Sequence, residues 1–157
     1  MTYAFADLFE AAEEGDFQKA KRIVEADPGL LAETDEYRFS VLHGAVMTDN
    51  VGLVRFLIER GADVNARNDE GITPLHIALY PEVAACLLDC GAAIDSASDD
   101  GSTPLHTQVA DGEERADIVK LLLARGADRE AKDREGLTPL DIAIRREEKE
   151  MIALLQT

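Results

Sequence analysis

The chain has 157 residues, of which 46% are hydrophobic, and it carries 16 basic residues against 32 acidic ones. Its length suits one compact domain or one short repeat array, and its net charge of −16 is expected to repel nucleic acid. No apolar stretch is long enough to cross a bilayer, the acidic start differs from an export signal, and two cysteines are too few for a disulfide framework. We therefore expect a cytoplasmic protein that binds neither nucleic acid nor membrane.

The first predicted elements are two helices within residues 4–31. Their apolar residues recur at helical spacing in LFEAAEEGDFQKAKRIV, and Gly15 separates the two runs. This segment has no equivalent of the tetrapeptides that follow it, so we interpret it as a terminal cap that covers the apolar face of an array.

Related tetrapeptides then follow one another along the chain. SVLH at 40–43, TPLH at 73–76, TPLH at 103–106 and TPLD at 138–141 begin at spacings of 33, 30 and 35 residues. Serine or threonine is a preferred helix N-cap, and proline fits the next position because its missing N–H has no helical partner. Apolar runs that end in glycine follow the first three tetrapeptides, and polar turns that end in glycine precede the last three. The predicted unit is turn, helix, loop, helix.

The T-P-L-H signature at a period of about 33 resembles the ankyrin repeat. The resemblance covers essentially the whole chain and implies an all-α solenoid of about five stacked helix-turn-helix units with short β-hairpin-like turns. It predicts a single domain over 1–157, with repeats at 4–37, 38–67, 68–97, 98–132 and 133–157.

The sequence departs from the family pattern at several points. Arg38 stands where a turn glycine is usual, and Val41 replaces the proline. The third repeat lacks three residues before Pro81, whereas the fourth has two extra residues and carries Gln108 where alanine is usual. The local shape is therefore not fixed by the pattern near Tyr80 and Asp111.

The three histidines occupy the same place in successive repeats, and we predict a structural role for each. Neighbouring helices lie roughly 8–10 Å apart, whereas a zinc ion needs its ligands at about 2 Å. Cys86 is expected in the core and Cys90 nearer the surface, without a basic neighbour that would activate a thiolate. The chain has no phosphate-binding loop and no Gly-x-Ser-x-Gly elbow. We expect no enzyme activity, cofactor or metal.

The resemblance implies that a partner binds to the turn tips and the first helix of each repeat. We map those positions onto the sequence repeat by repeat. The second repeat contributes Glu36, Tyr37, Phe39, Met47 and Thr48; the third Asp69, Glu70, Ile72, Ile77 and Tyr80; the fourth Asp99, Asp100, Ser102, Thr107 and Asp111; the fifth Arg134, Glu135 and Leu137. Aromatic anchors among carboxylates are typical of an interface.

The acidic charge is concentrated in residues 68–114, which we name the acidic segment. It contains ten acidic residues and no lysine or arginine, whereas residues 115–157 are balanced. We hypothesise a monomeric, non-enzymatic module whose acidic concave face binds a basic protein as an inhibitor, an immunity-type protein or a scaffold. Chance clustering on a solvated face, self-association, and a carboxylate- or metal-dependent hydrolase remain the alternatives.

Overall fold

A computed structural model describes all residues, 1–157. Ten α-helices and two short 3-10 helices account for the regular structure, and the single β feature is an isolated antiparallel bridge between Thr34 and Ser40. The predicted all-α class is therefore confirmed. The helices are α1 Phe5–Glu13, α2 Phe17–Ala26, α3 Val41–Ala45, α4 Val51–Glu59, α5 Pro74–Ile77, α6 Pro81–Asp89, α7 Pro104–Ala110, α8 Ala116–Ala124, α9 Pro139–Arg145 and α10 Lys149–Gln156, with 3-10 helices at Pro28–Ala32 and Glu113–Arg115.

The chain divides into two compact units, residues 1–92 and 93–157. In the first unit α1 packs on α2 and α3, and α4 packs on α6. In the second, α7 packs on α8 and α9, and α10 packs on α8 and α9. First helices thus contact first helices and second helices contact second helices, as stacking requires. One helix pair falls within each predicted repeat, and a single domain over 1–157 stays a prediction.

The tetrapeptides begin the first helix of their repeats, as predicted. The predicted bond from a backbone N–H to the serine or threonine hydroxyl forms only at Thr138, and the third residue of each helix caps the N–H of the serine or threonine instead. The backbone N–H of Thr73 donates to Nδ1 of His76, and the backbone N–H of Thr103 donates to Nδ1 of His106. In the last repeat a carboxylate oxygen of Asp141 accepts from the backbone N–H of Thr138 instead. Each bond satisfies a donor at the start of a helix, where the backbone cannot do so.

The same histidines also join one repeat to the next. Nε2 of His43 lies 2.9 Å from the carbonyl oxygen of Ile72, and Nε2 of His106 lies 3.0 Å from that of Leu137. Because Nδ1 accepts from a backbone N–H, the ring proton is on Nε2, which donates to the carbonyl. The predicted structural role is confirmed for His43 and His106 by both bonds, and for His76 by its capping bond.

The turn before α3 adopts the backbone that the pattern assigns to glycine. Arg38 has a φ of 63°, close to the 75° of Gly71 and the 78° of Gly136 in equivalent turns. A residue with a Cβ pays roughly 1–2 kcal/mol in this left-handed region. The turn nevertheless forms, since Asp35 donates its N–H to the carbonyl of Phe39 and accepts the N–H of Arg38 on its own carbonyl.

The third repeat has a short first helix because of Pro81. A residue that precedes proline avoids the helical region, and Tyr80 is extended at φ −123° and ψ 134°. Helix α5 consequently has four residues, and the freed N–H of Leu79 donates to the carbonyl of Val46 in the preceding repeat. In the fourth repeat the inserted residues lie in the 3-10 turn Glu113–Arg115.

The core of each unit consists of side chains that recur at the same places in the repeats. Burying one leucine contributes roughly 1.5–3 kcal/mol relative to leaving it in water. The largest fully buried apolar side chains are Leu8, Ile23, Leu42, Leu53, Leu57, Leu75 and Leu87 in the first unit, and Leu105, Ile118, Leu122 and Met151 in the second. Cys86 is buried and Cys90 is partly exposed, as predicted.

Candidate protein-binding surface

A groove of about 280 Å³ lies in the first unit, and we name it the aromatic groove. Helix α1, the turn before α3, helix α3 itself and the end of α5 form its walls. Its lining residues are Phe9, Glu13, Asp35, Tyr37, Phe39, His43, Gly44, Met47 and Ile77. Four of the predicted contact residues, Tyr37, Phe39, Met47 and Ile77, therefore come together at one place.

Asp35 holds the two aromatic residues of the turn in position. Its Oδ1 atom accepts the backbone N–H of Tyr37 at 2.9 Å and that of Phe39 at 2.8 Å. The Phe39 ring then lies edge-on to the imidazole of His43, with centroids 5.3 Å apart and an interplanar angle of 87°. Tyr37 is left 60% exposed. The turn thus gives the groove one anchored ring and one accessible ring.

Gly44 allows α1 to approach α3 at the floor of the groove. A Cβ atom at this position would lie 3.1 Å from Cγ of Glu13 and 3.4 Å from Cε2 of Phe9. The first of these distances is tighter than ordinary van der Waals contact between carbon atoms. The glycine therefore leaves room for both side chains of α1 to line the groove.

Negative charge borders the apolar walls. Glu13 makes no side-chain hydrogen bond or ion pair and is exposed. Both hydrogen bonds to the Asp35 carboxylate use Oδ1. Burial lowers the pKa of His43, which keeps the imidazole neutral, although the carbonyl of Ile72 and the charge of Asp35 act in the opposite direction. The groove is therefore apolar with an acidic border.

Other predicted residues of the first unit lie on the turns outside the groove. Glu36, Asp69 and Glu70 are exposed, and the backbone N–H of Asp69 donates to the carbonyl of Tyr37. Ile72 is half-buried, and its carbonyl is the acceptor for His43. Tyr80 is 40% exposed and does not line the groove, so it lies apart from the other two predicted aromatic contact residues, Tyr37 and Phe39.

In the second unit several predicted contact residues also have structural partners. The Oδ1 atom of Asp100 accepts from the Ser98 hydroxyl at 2.6 Å and from the N–H of Ser102 at 2.9 Å. These bonds lower the pKa of Asp100. The carbonyl of Asp100 accepts the N–H of Arg134 at 2.9 Å, and Asp111 lies 3.8 Å from Arg115.

The remaining predicted contact residues of this unit differ in how far their side chains are exposed to solvent. Asp99 is exposed, whereas Ser102, Thr107 and Leu137 are half-buried. Glu135 is exposed and lies 3.7 Å from Arg145.

Sequence reasoning did not select Phe9, Glu13, Asp35 or Gly44. The first helix has no tetrapeptide, so its groove-facing residues could not be found by aligning the motif. Phe9 and Glu13 are nevertheless four residues apart and share one helix face, a spacing that could have indicated them.

A second cavity of about 340 Å³ lies elsewhere in the first unit. Its lining includes Glu33, Arg38, Asp63 and Arg67, so it carries both signs of charge. Nowhere do three or more histidine, cysteine or acidic side chains form a group that could hold a metal ion. None of the helices is both long enough and apolar enough for a membrane crossing.

The stacked helix pairs and the exposed groove define a helical-repeat binding protein. Residues 8–98 and 80–157 match the family model described as ankyrin repeats (3 copies). The chain belongs to the ankyrin repeat family, as the tetrapeptides predicted. Ankyrin repeats are protein–protein interaction modules and are generally non-enzymatic.

Curated relatives agree with this assignment. Human protein phosphatase 1 regulatory subunit 27 is 35% identical over 48% of this chain and 51% of its own length. Human ankyrin repeat and SOCS box protein 3 is 36% identical over 67% of this chain and 21% of its own length. A putative ankyrin repeat protein of fowlpox virus is 40% identical over 74% of this chain and 26% of its own length. The chain thus matches about half or less of the length of these relatives.

Proposed function

We propose that this protein binds a basic partner protein through its acidic surface and acts as an inhibitor, an immunity-type protein or a scaffold. One observation carries the proposal: every acidic residue of the acidic segment is exposed, and the segment itself contains no lysine or arginine. The ten residues are Asp69, Glu70, Glu82, Asp89, Asp95, Asp99, Asp100, Asp111, Glu113 and Glu114. Within the proposal the protein acts as a cytoplasmic monomer without catalytic activity, and nucleic acid and membranes are not its ligands.

Charge of one sign on a binding surface attracts a partner of the opposite sign and raises the rate of association. It also repels partners of like charge, which adds specificity. These effects weaken as salt shortens the screening length, from about 30 Å at 0.01 M to about 8 Å at 0.15 M. Because the partner is recognised partly by charge, its affinity is expected to fall as salt rises.

The acidic residues do not all serve equally well as test positions. Asp100 holds its own turn through Ser98 and Ser102, so its replacement would change the fold as well as the charge. The carboxylates of Asp69 and Glu70 make no hydrogen bond or ion pair, and both are exposed. Their replacement changes the charge while the turn geometry is retained.

The experiment compares two double charge reversals that alter the net charge equally. The partner is first captured from the native host and purified, and its dissociation constant is then measured at 50 and 200 mM salt. Asp69→Lys with Glu70→Lys should weaken binding by about tenfold at low salt and flatten the salt dependence. Glu59→Lys with Glu130→Lys, two exposed positions outside the acidic segment, serves as the control. Equal losses in both variants, or none in the first, would show that the acidic segment is not the contact surface.

A further inference from the structure

We propose that the aromatic groove binds the side chain of an arginine that the partner presents. This inference rests on the proposed function, since it supplies the contact chemistry of a basic partner. It centres the anchoring contact on the first two repeats, with Ile77 of the third repeat completing the groove, whereas the acidic residues of the acidic segment lie outside the groove. The groove and the acidic segment then have different tasks: the groove fixes one side chain, and the acidic segment attracts the partner.

The walls of the groove suit the stem and the head of an arginine. Phe9, Phe39, Met47 and Ile77 provide apolar surface for the three methylene groups. Tyr37 offers an exposed aromatic face on which a planar guanidinium can stack. The volume of about 280 Å³ is just below the usual range for small-molecule pockets, which begins near 300 Å³, so it suits one side chain.

The charges at the border select a cation. Glu13 has no ion-pair partner, whereas the neighbouring Glu10 and Glu14 are both within reach of Lys19. Asp35 uses Oδ1 for its turn and makes no hydrogen bond with Oδ2. No lysine or arginine lines the groove, and Arg38, from the same turn as Asp35, lines the other cavity instead. Two carboxylates therefore border the groove without a cation of this chain beside them.

Arginine fits these features better than the other occupants. Lysine has a compact, strongly hydrated head that does not stack as a plane. An apolar side chain would fill the walls but leave the two carboxylates unused. A second copy of this chain would bring a net charge of −16 against an acidic border. The planar guanidinium can contact the rings and donate two parallel hydrogen bonds to a carboxylate.

The proposal is tested by NMR titration of the isotope-labelled full chain with N-acetyl-arginine methylamide. The matched probe is the citrulline compound, which has nearly the same shape without the charge, and lysine and leucine compounds complete the series. The arginine probe should shift the amide signals of residues 9, 13, 35–39, 44, 47 and 77. The citrulline probe should bind at least fivefold more weakly.

Two groove variants remove charge with little change of shape. Glu13→Gln should weaken the arginine probe by about three- to fivefold. Asp35→Asn should do the same and keep its turn, because Asn68 makes the equivalent pair of Oδ1 bonds to Glu70 and Ile72. Glu59→Gln, an exposed acidic position outside the groove, should leave the affinity unchanged.

Any other result of these titrations overturns the proposal. Equal binding of the citrulline or leucine probe would make the groove an apolar site, and equal binding of lysine would remove the role of the guanidinium. Shifts spread over all exposed acids would mean charge attraction without a site. Concentration-dependent dimerisation that Tyr37→Ala abolishes would identify a second copy as the occupant. The proposed function fails separately, when reversal of Asp69 and Glu70 leaves partner affinity unchanged.

Discussion

Nε2 of His43 lies 2.9 Å from the carbonyl oxygen of Ile72, so a side chain in the second repeat satisfies a backbone acceptor in the third. On its other side the same ring accepts the backbone N–H of Ser40 at 3.0 Å. One buried imidazole thus begins a helix and attaches it to the following turn. His106 repeats the arrangement with Thr103 and Leu137.

Replacement of His43 should separate these two tasks. His43→Ala removes both bonds and leaves buried partners unsatisfied, which we expect to cost about 3 kcal/mol. His43→Asn keeps an acceptor for the N–H of Ser40, as Asp141 does for Thr138, but is too short to reach Ile72. It should cost about half as much. Urea unfolding measures both values, and equal losses would mean that the bond to Ile72 contributes nothing.

Stability should fall in mild acid because of His43. Burial lowers its pKa below the ordinary value of 6.5, so protonation favours the unfolded chain. The stability is fully present above pH 6.5 and is lost as the pH falls toward the folded pKa, by at most about 1.4 kcal/mol per pH unit. Unfolding free energies at pH 7.5 and 5.5 measure the effect. His43→Asn should reduce this difference, and an unchanged pH profile would assign the loss to other groups.

Two turn glycines should respond differently to alanine. Gly101 and Gly136 have similar left-handed φ values of 83° and 78°. A Cβ at Gly101 would lie 2.9 Å from the backbone nitrogen of Arg134, whereas one at Gly136 would meet nothing within 4 Å. Gly136→Ala should cost about 1 kcal/mol, from backbone strain alone.

Gly101→Ala should cost about 2–3 kcal/mol, because the neighbouring turn must also move. The difference between the two unfolding free energies measures the clash. A difference of zero would mean that this contact relaxes without cost.

The two cysteines should differ in reactivity. Burial raises the pKa of the Cys86 thiol, and the thiolate is the reactive form. Cys90 is partly exposed one helical turn later. Iodoacetamide at pH 8 should modify Cys90 first, and Cys86 only after unfolding. Cleavage before Asp89 with the protease Asp-N puts the two cysteines on different peptides, which mass spectrometry then distinguishes. In Cys90→Ser the folded chain should stay unmodified, and rapid labelling there would show that Cys86 is accessible.

The sequence predicted the repeat and the helix starts because both depend on local chemistry. A threonine followed by proline specifies the beginning of a helix wherever it stands, and a spacing near 33 residues indicates stacking. The same reasoning marked Arg38 and Pro81 as departures from the repeat pattern, but the structure was needed to show the left-handed backbone of Arg38 and the short helix before Pro81. It also placed Tyr37, Phe39 and Met47 among the predicted contact residues, because these occupy defined places in the repeat.

The groove could not be predicted as a site, because its second wall comes from a helix without the motif. Phe9 and Glu13 belong to α1, and their approach depends on the missing side chain of Gly44. Tyr80 looked equivalent to the other aromatic anchors in the sequence, yet it lies outside the groove. Asp100 looked like a free surface acid in the sequence. Its carboxylate instead accepts hydrogen bonds from Ser98 and Ser102 within its own turn, where Ser98 replaces the Asp or Asn of the equivalent turns.

The sequence by itself determined the family, the helical class, the order of the repeats and the placement of charge along the chain. These follow from short-range capping, turn chemistry and periodicity, which act within one repeat. Only the tertiary structure decided which aromatic rings share a groove, which carboxylates border it and which acids are already bonded within their turns. Those properties depend on distances between residues far apart in sequence, and such distances are set when the helices pack.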